Sequence, residues 1–152
     1  MAEEPRQNLT NLLVKIPLFR GLGPNQCREI LQVSHQRSFA QGDIIYRAGS
    51  TGDEMLILLK GRVRILVGEG KEVASVEAID TVGEMEIMGS SPRVADVVAG
   101  NEVSGLTLGK GALMTLFESD AAMGIQLLRN IVENLAGKLA VADQELAARI
   151  AH

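Results

Sequence analysis

The spacing of apolar residues predicts helices at the start of the chain and strands after them. Over residues 8–35, apolar residues recur at helical spacing in short pieces. Pro24 can open one of these helices as its first residue, and the side chains of Cys27 and Ile30 then share one face. Over residues 36–108, short runs rich in Val, Ile and Leu alternate with glycines. That pattern is typical of short β-strands joined by tight turns.

The β zone has the features of a small all-β fold with short strands. Val63 and Ile65 alternate with Arg62 and Arg64, which is the pattern of a strand buried on one side. Many short strands with glycine turns predict a small barrel, a jelly roll or a sandwich. One apolar stretch inside the zone, residues 84–88, is framed by glycines and suits a single helical turn.

The third zone, residues 110–150, predicts two helices. The first is expected over residues 110–117. Ser119 or Asp120 then suits the N-cap of the second helix, because either side chain can accept a hydrogen bond from a free backbone N–H. A chain of 152 residues is long enough for one domain with its own core, so we expect a single domain over residues 1–152.

The long helix carries a regular seam of apolar residues at alternating steps of three and four. This heptad seam consists of Ile125, Leu128, Val132, Leu135, Leu139, Ala142 and Leu146. About three heptads of this spacing favour a coiled coil between two helices. The alternative is a single helix that lies on the β structure. One helix can do both, because Leu127 and Ile131 form a second apolar strip outside the seam. We expect a homodimer through this C-terminal helix.

Composition and charge argue against several classes of protein. The formal charge of −4 lacks the positive footprint of a DNA-binding domain, and the aromatic content of 3% is low for a protein that stacks single-stranded bases. The longest apolar run, residues 55–59, is too short to cross a bilayer. Cys27 is the only cysteine and fits a reducing compartment, and residues 1–7 lack a signal-peptide pattern. We expect a cytoplasmic protein that binds neither DNA nor membrane.

Catalytic motifs and metal ligands are scarce in the sequence. It contains neither a phosphate-binding P-loop nor a Gly-x-Ser-x-Gly elbow. The histidines are His35 and His152, too few for a histidine-based metal site or catalytic triad. Glu84 and Glu86 lie two apart, so on one helical turn their side chains point about 200° from each other and cannot easily share a substrate. We expect no enzyme activity and no metal site.

One loop nevertheless carries groups that suit a sugar–phosphate ligand. Gly83 allows close approach of the backbone, and a helical turn directly after it offers unpaired N–H groups. Pro92 directs Arg93 into the following strand, where its guanidinium can face the helix start and bind an anion. Glu84 can accept hydrogen bonds from sugar hydroxyls. The alternative is that Arg93 and Glu84 form an ion pair that fixes the loop.

The same loop, GEMEIMGSSPRVA over residues 83–95, resembles the phosphate-binding cassette of cyclic nucleotide-binding domains. In many members of that family a glutamate and an arginine stand nine positions apart, as Glu84 and Arg93 do. Three more segments resemble family motifs in the expected order: residues 16–22, the N-terminal motif; residues 39–49, the first hairpin; and residues 53–63, the next strand pair. The resemblance, to the domains of cAMP receptor proteins and protein kinase A regulatory subunits, covers nearly the whole chain.

The resemblance implies an α+β, mainly β, fold. It is a jelly-roll β-barrel, or β-roll, with short N-terminal helices and two C-terminal helices, the last one long. The corresponding parts of this chain are residues 8–35, residues 36–108 and residues 110–150.

The resemblance also implies a role for each residue of the cassette. Arg93 binds the cyclic phosphate together with the backbone N–H groups of Glu86 and Val94. Glu84 accepts the ribose 2′-hydroxyl, with the backbone of Gly83 close by. Glu86 departs from the family, which usually has a small residue there, and its side chain would repel the phosphate if it pointed inward. Val94 stands where guanine-preferring members often carry threonine or serine, which favours adenine.

The implied function is a stand-alone cyclic-nucleotide sensor. Its ligand is cAMP or, as the second choice, cGMP, and no other cofactor is expected. It signals by repositioning its C-terminal helices, which either a homodimer or a separate effector protein must detect. The alternative function is a degenerate domain that binds no nucleotide and serves for dimerisation or docking.

Overall fold

The computed structural model describes residues 3–150, and it describes side chains from residue 8 to residue 150. Three helical pieces come first, namely α1 (Glu3–Leu13), a 3-10 helix (Pro17–Phe19) and α2 (Pro24–Gln32). The strands are β1 (His35–Phe39), β2 (Ile44–Tyr46), β3 (Glu54–Lys60), β4 (Arg62–Val67), β5 (Lys71–Glu77), β6 (Asp80–Val82), β7 (Asp96–Ala99) and β8 (Val103–Gly109). The remaining helices are α3 (Glu84–Gly89), between β6 and β7, then α4 (Lys110–Ser119) and α5 (Ala121–Ile150).

The strands form two antiparallel sheets of four, as the jelly-roll prediction requires. One sheet has the order β1-β8-β3-β6 and the other has the order β2-β7-β4-β5. Every strand pair is antiparallel. The predicted fold class, α+β and mainly β with a long final helix, is confirmed.

Successive strands mostly switch from one sheet to the other, which corrects two details of the prediction. Residues 39–49 were expected to form a hairpin, but β1 pairs with β8 and β2 pairs with β7. Residues 53–63 were expected to form a strand pair, but β3 and β4 lie in different sheets. The glycine turns here are corners between sheets. At Gly61, with φ +94°, a Cβ atom would lie 2.4 Å from a backbone carbonyl oxygen, so the corner admits no side chain.

Strand β3 is buried on both faces and joins two cores. Leu56 and Leu58 pack in the inter-sheet core, which also contains Tyr46, Val63, Val82, Val97, Ala99 and Val103. Met55 and Ile57 pack in the helical core, on the other face of the same sheet. That core also contains Leu13, Ile16, Phe19, Cys27, Leu113, Met123 and Leu127. Burial on both faces accounts for the uninterrupted apolar run in this strand.

Helix α5 is anchored at its start and about one third of the way along. Asp120 is the N-cap, as predicted, because its Oδ1 accepts a 3.1 Å hydrogen bond from the backbone N–H of Met123. The buried side chain of Asn130 donates from Nδ2 to the carbonyl oxygens of Leu18 and Arg20, at 2.7 and 2.8 Å. These bonds attach α5 to the 3-10 helix.

The two apolar strips of α5 have different surroundings. Leu127 and Ile131 are buried against the domain, whereas the heptad seam is exposed along its whole length. The strip outside the seam therefore packs into the helical core of the domain. The structure leaves the seam without a partner among the residues of this chain from 8 to 150. No helix within residues 3–150 has the length and apolar character needed to span a membrane.

Candidate functional site

The loop between β6 and β7 folds as a short helix followed by an extended segment. Gly83 is the N-cap of α3 and has φ +90°, a left-handed conformation that glycine adopts at little cost. Helix α3 covers the predicted helical turn. Ser90 closes the helix with φ +55°. Asn, Asp and Gly are more usual in that conformation, so Ser90 makes the end of the helix a mildly strained turn.

Arg93 lies in the extended segment and not in a strand, which corrects the predicted placement. Strand β7 begins three residues later, at Asp96, where pairing with β4 starts. The backbone of Arg93 instead bonds to the turn after β2. Its carbonyl oxygen accepts from the N–H of Gly49 at 2.7 Å, and its N–H donates to the carbonyl oxygen of Ser50 at 3.0 Å. The turn therefore takes the place of a strand partner.

The guanidinium of Arg93 is buried and faces the start of α3. The side chain is only 4% exposed. Its Cζ atom lies 3.6 Å from the ring centroid of Tyr46, and its Nη2 donates to the backbone carbonyl of Glu54. A Cβ atom on Gly83 would lie 2.6 Å from Nη1 of Arg93, so Gly83 leaves room for the guanidinium.

This buried cation has no acidic partner. The Nε atom of Arg93 is buried without a hydrogen-bond partner. Among the side chains of residues 8–150, no carboxylate lies within 4 Å of its guanidinium nitrogens. The alternative that an ion pair between Arg93 and Glu84 fixes the loop is therefore wrong. A buried, unpaired guanidinium is costly, and an anion supplied by a ligand would satisfy it.

Glu84 is half-buried at the first position of α3, and Lys138 of α5 acts on its carboxyl electrostatically. Burial raises the pKa of this carboxyl above its ordinary value. The negative charges of Asp80 and Glu86 also raise it, whereas its own backbone N–H and the ammonium of Lys138 lower it. Helix α3 packs against α5, which carries Lys138. Glu84 thus combines a half-buried carboxyl of raised pKa with an electrostatic link to the C-terminal helix.

The other two cassette residues have contrasting environments. The Cβ of Glu86 packs against Gly52, where an added Cβ atom would lie only 2.4 Å away. Glu86 is half-buried there, and its carboxylate makes no ion pair with Arg93. The side chain of Val94 is 79% exposed. The structure thus places the guanidinium of Arg93 beside Gly83. Glu84, Glu86 and Val94 belong to the same loop and lie around that contact.

Two residues beside Arg93 were missed in the sequence analysis. Tyr46 and Glu54 contact its guanidinium from β2 and β3. The signal available in the sequence was a lone tyrosine at the end of an apolar strand, because a buried tyrosine hydroxyl needs a polar partner. No set of three or more His, Cys, Asp or Glu side chains in the described part of the chain could hold a metal ion.

The fold and this site agree with a known family of domains. Residues 36–120 match the family model described as the cyclic nucleotide-binding domain. The chain belongs to this family. The loop with its buried arginine facing a helix start is therefore to be compared with the loops of other domains in this family. The resemblance predicted from residues 83–95 is confirmed.

Known proteins show how far the similarity extends. A cAMP-dependent protein kinase regulatory subunit of Hypocrea atroviridis is 32% identical over 111 residues, which make up 73% of this chain and 24% of that protein. The Cyclic AMP receptor protein of Thermus thermophilus is 29% identical over 128 residues, or 82% of this chain and 56% of that protein. The chain thus spans only part of each relative.

A solved structure has the same fold over almost the whole chain. It is a cyclic nucleotide-binding domain from Methylobacillus flagellatus, with a TM-score of 0.80 and 21% sequence identity. The alignment covers 97% of this chain and 85% of that one. At this identity the likeness concerns the fold alone.

The raised pKa of Glu84 predicts a pH-dependent effect of its substitution. The folded state holds the Glu84 proton more tightly than the unfolded state, so stability falls as pH rises through the interval between the two pKa values. Glu84→Gln should therefore raise the melting temperature of the ligand-free domain at pH 7, because glutamine keeps the shape of the side chain without its buried charge. The gain should vanish near pH 4, around the usual glutamate pKa.

Thermal unfolding at the two pH values measures this effect. The control is Glu29→Gln, which changes an exposed glutamate on α2 and should give the same small shift at both pH values. A Glu84→Gln domain that is less stable than wild type at pH 7 would contradict the assignment of burial as the dominant cause.

Proposed function

We propose that this domain binds a cyclic nucleotide at Arg93 and acts as a sensor module. The observation that supports the proposal most directly is the buried guanidinium beside the start of α3, which pairs with none of the carboxylates that the structure describes. A cyclic phosphate supplies the missing negative charge and oxygens that accept from Nε and the terminal nitrogens of Arg93. The backbone N–H groups of Glu86 and Val94 complete the phosphate contacts.

Glu84 binds the ribose in this proposal. Its carboxylate accepts a hydrogen bond from the 2′-hydroxyl, and the backbone of Gly83 lies next to the sugar. Support comes from the position of Glu84 at the first residue of α3, directly after the glycine that contacts Arg93. The ribose and the cyclic phosphate are rigidly joined in the ligand, so these two contacts select a cyclic nucleotide over a free phosphate.

The preferred base is adenine, so cAMP binds more tightly than cGMP. The side chain beside Arg93 is that of Val94, which has no hydroxyl to offer a guanine and is free of other packing. The chain itself is regulatory in this proposal and carries out no catalysis. A stand-alone role and a place in the cytoplasm stay predictions from the sequence.

Helix α5 transmits the binding signal. Lys138 on α5 attracts the Glu84 carboxylate in the ligand-free domain, and a ribose hydroxyl that bonds to Glu84 weakens that attraction. Beyond Ile131, α5 is exposed, and a groove of about 500 Å³ separates it from Pro17 and Arg20 of the body. Ligand binding therefore shifts the position of α5 by acting on a few contacts at its middle.

A second copy of the chain covers the heptad seam of α5. Ile125, Val132, Leu139 and Leu146 are each more than half exposed, and they form one continuous apolar strip. Exposed apolar strips of this kind mark contact surfaces. A coiled-coil pairing of two such strips makes a homodimer whose geometry changes with the position of α5, and a separate effector protein then detects that change.

Thermal unfolding with cAMP, with cGMP and without ligand tests binding. At about 100 times the dissociation constant, a ligand of the folded state adds about 2.7 kcal/mol, which raises the melting temperature by about 5–10 °C. Arg93→Ala should weaken binding by about tenfold to several hundredfold, because it removes charge-assisted hydrogen bonds worth about 1.5–3 kcal/mol each.

The control for that experiment is Arg64→Ala, which removes an exposed arginine from β4 and should leave the ligand-induced shift unchanged. The absence of any shift at millimolar cAMP or cGMP would contradict the sensor function and favour the docking role. A shift that persists unchanged in Arg93→Ala would contradict the assignment of the site.

Spin labels at Lys71 on β5 and Glu145 on α5 test the movement of the helix. Both side chains are exposed, and the label-to-label distance should change by several ångströms on addition of cAMP. Labelled protein is mixed with excess unlabelled protein so that only distances within one protomer are measured. The control pair, Lys71 and Ser38, lies within the β-roll and should not change. Identical distributions for the first pair with and without ligand would contradict signalling through α5.

Substitution of the heptad seam tests the homodimer. Leu139→Glu places a charge in the middle of the seam and should shift the protein from dimer to monomer in sedimentation equilibrium. Ala140→Glu introduces the same charge one residue away and outside the seam, so the dimer should persist. Equal molecular weights for both variants would contradict pairing through this seam.

A further inference from the structure

Tyr46 contacts Arg93 with its ring and Glu54 with its hydroxyl. The ring centroid lies 3.6 Å from the Cζ atom of Arg93, within the range of a strong cation–π contact. The hydroxyl donates a 2.9 Å hydrogen bond to Oε2 of Glu54. Tyr46 is buried at the end of β2, so both contacts are held in place by the inter-sheet core. One side chain therefore touches both the cation and a candidate counter-charge, the carboxylate of Glu54.

Glu54 is held through both its backbone and its side chain. Its backbone carbonyl accepts from Nη2 of Arg93, while its carboxylate accepts from the hydroxyl of Tyr46. No carboxylate oxygen of Glu54 lies within 4 Å of the guanidinium nitrogens, although the two residues are in direct contact through the backbone. A half-buried carboxylate so close to a buried cation would ordinarily pair with it.

The tyrosine remains protonated and keeps its role as a donor. Burial raises the pKa of the Tyr46 hydroxyl, and the adjacent Glu54 carboxylate raises it further, although Arg93 and Arg37 oppose the shift. The hydroxyl therefore keeps its proton over the whole physiological range. The contact with Glu54 is then a permanent one and not a pH switch.

We propose that Tyr46 is a positioning residue for the anion site. Its ring supports the guanidinium from one face, and its hydroxyl retains the Glu54 carboxylate so that the charge of Arg93 stays available to a ligand. The proposal rests on the proposed function of Arg93. If the hydroxyl were absent, Glu54 would turn to Arg93, and a cyclic phosphate would have to displace it before binding.

Tyr46→Phe separates the two roles, because it keeps the ring and removes the hydroxyl. The experiment needs crystal structures of the ligand-free wild type and of ligand-free Tyr46→Phe. The Glu54 carboxylate should lie within 4 Å of the guanidinium nitrogens of Arg93 in Tyr46→Phe and beyond 4 Å in the wild type. The dissociation constant for cAMP should rise about tenfold, which is the effect of weakening one charge-assisted contact by about 1.4 kcal/mol. Thermal unfolding without ligand shows whether each variant is folded.

A double substitution shows whether the loss of affinity acts through Glu54. In the Glu54→Gln background no carboxylate is present to compete, so Tyr46→Phe should change the affinity less than about threefold, far below its effect in the wild-type background. A simple packing defect at Tyr46 would instead weaken binding equally in both backgrounds. That outcome would overturn the proposal.

The crystal structures decide the role of Tyr46 separately from the proposed function. Glu54 still outside 4 Å of Arg93 in Tyr46→Phe would overturn the proposal even if the wild type binds cAMP with high affinity. Wild-type protein that binds neither cAMP nor cGMP would contradict the proposed function. The position of Glu54 in the two ligand-free structures would in that case still show whether Tyr46 keeps the two charges apart.

Discussion

Arg93 brings a full positive charge into a part of the protein that water hardly reaches, and no acidic side chain in the described part of the chain balances it. An unpaired buried charge costs several kcal/mol in a protein interior. The contacts that the fold provides are partial ones: an aromatic face from Tyr46, a backbone carbonyl from Glu54 and space next to Gly83. Each reduces the cost, and none neutralises the charge. In the proposed function, the last partner of this arrangement is an anion from outside the chain.

The jelly roll makes this arrangement possible because its strands switch between sheets. Tyr46 belongs to one sheet and Glu54 to the other, yet the corner between β2 and β3 brings them to a 2.9 Å hydrogen bond. The same corner supplies the turn that bonds to the backbone of Arg93. Gly83 and Arg93 then come together because α3 returns the chain to that turn. The site is thus assembled from two stretches of the chain, residues 46–54 and residues 83–93.

Local features of this fold could be predicted from the sequence, and long-range ones could not. Three helices could be located in this way: α2 from Pro24 at its start, α5 from Asp120 as its N-cap, and α3 from the glycines that frame residues 84–88. Each signal depends on backbone chemistry that acts within a few residues. The two strips of α5 follow from helical periodicity alone. The pairing of β1 with β8 could not be deduced, because alternation of apolar residues does not identify the partner of a strand.

The same distinction applies to the site. The cassette residues could be found because they are contiguous and match a family pattern. Tyr46 and Lys138 lie 47 and 45 residues away from Arg93 in opposite directions, and no periodicity connects them to it. The alternative of an ion pair between Arg93 and Glu84 failed for a related reason. Spacing allowed it, but the Glu84 carboxyl interacts with Lys138 of α5, whereas the guanidinium of Arg93 lies beside Gly83.

The partial attachment of α5 has a mechanical consequence. The helix runs to Ile150, but its buried contacts end at Ile131, so about 28 Å of helix extends beyond its last anchor at 1.5 Å per residue. A tilt of about 10° at that anchor would displace the far end by about 5 Å, roughly one helical turn. Lys138 lies about 10 Å beyond that anchor, so a movement of about 2 Å there becomes about 5 Å at the end of the helix. No relay through the β-roll is needed, because the free length of the helix amplifies the movement.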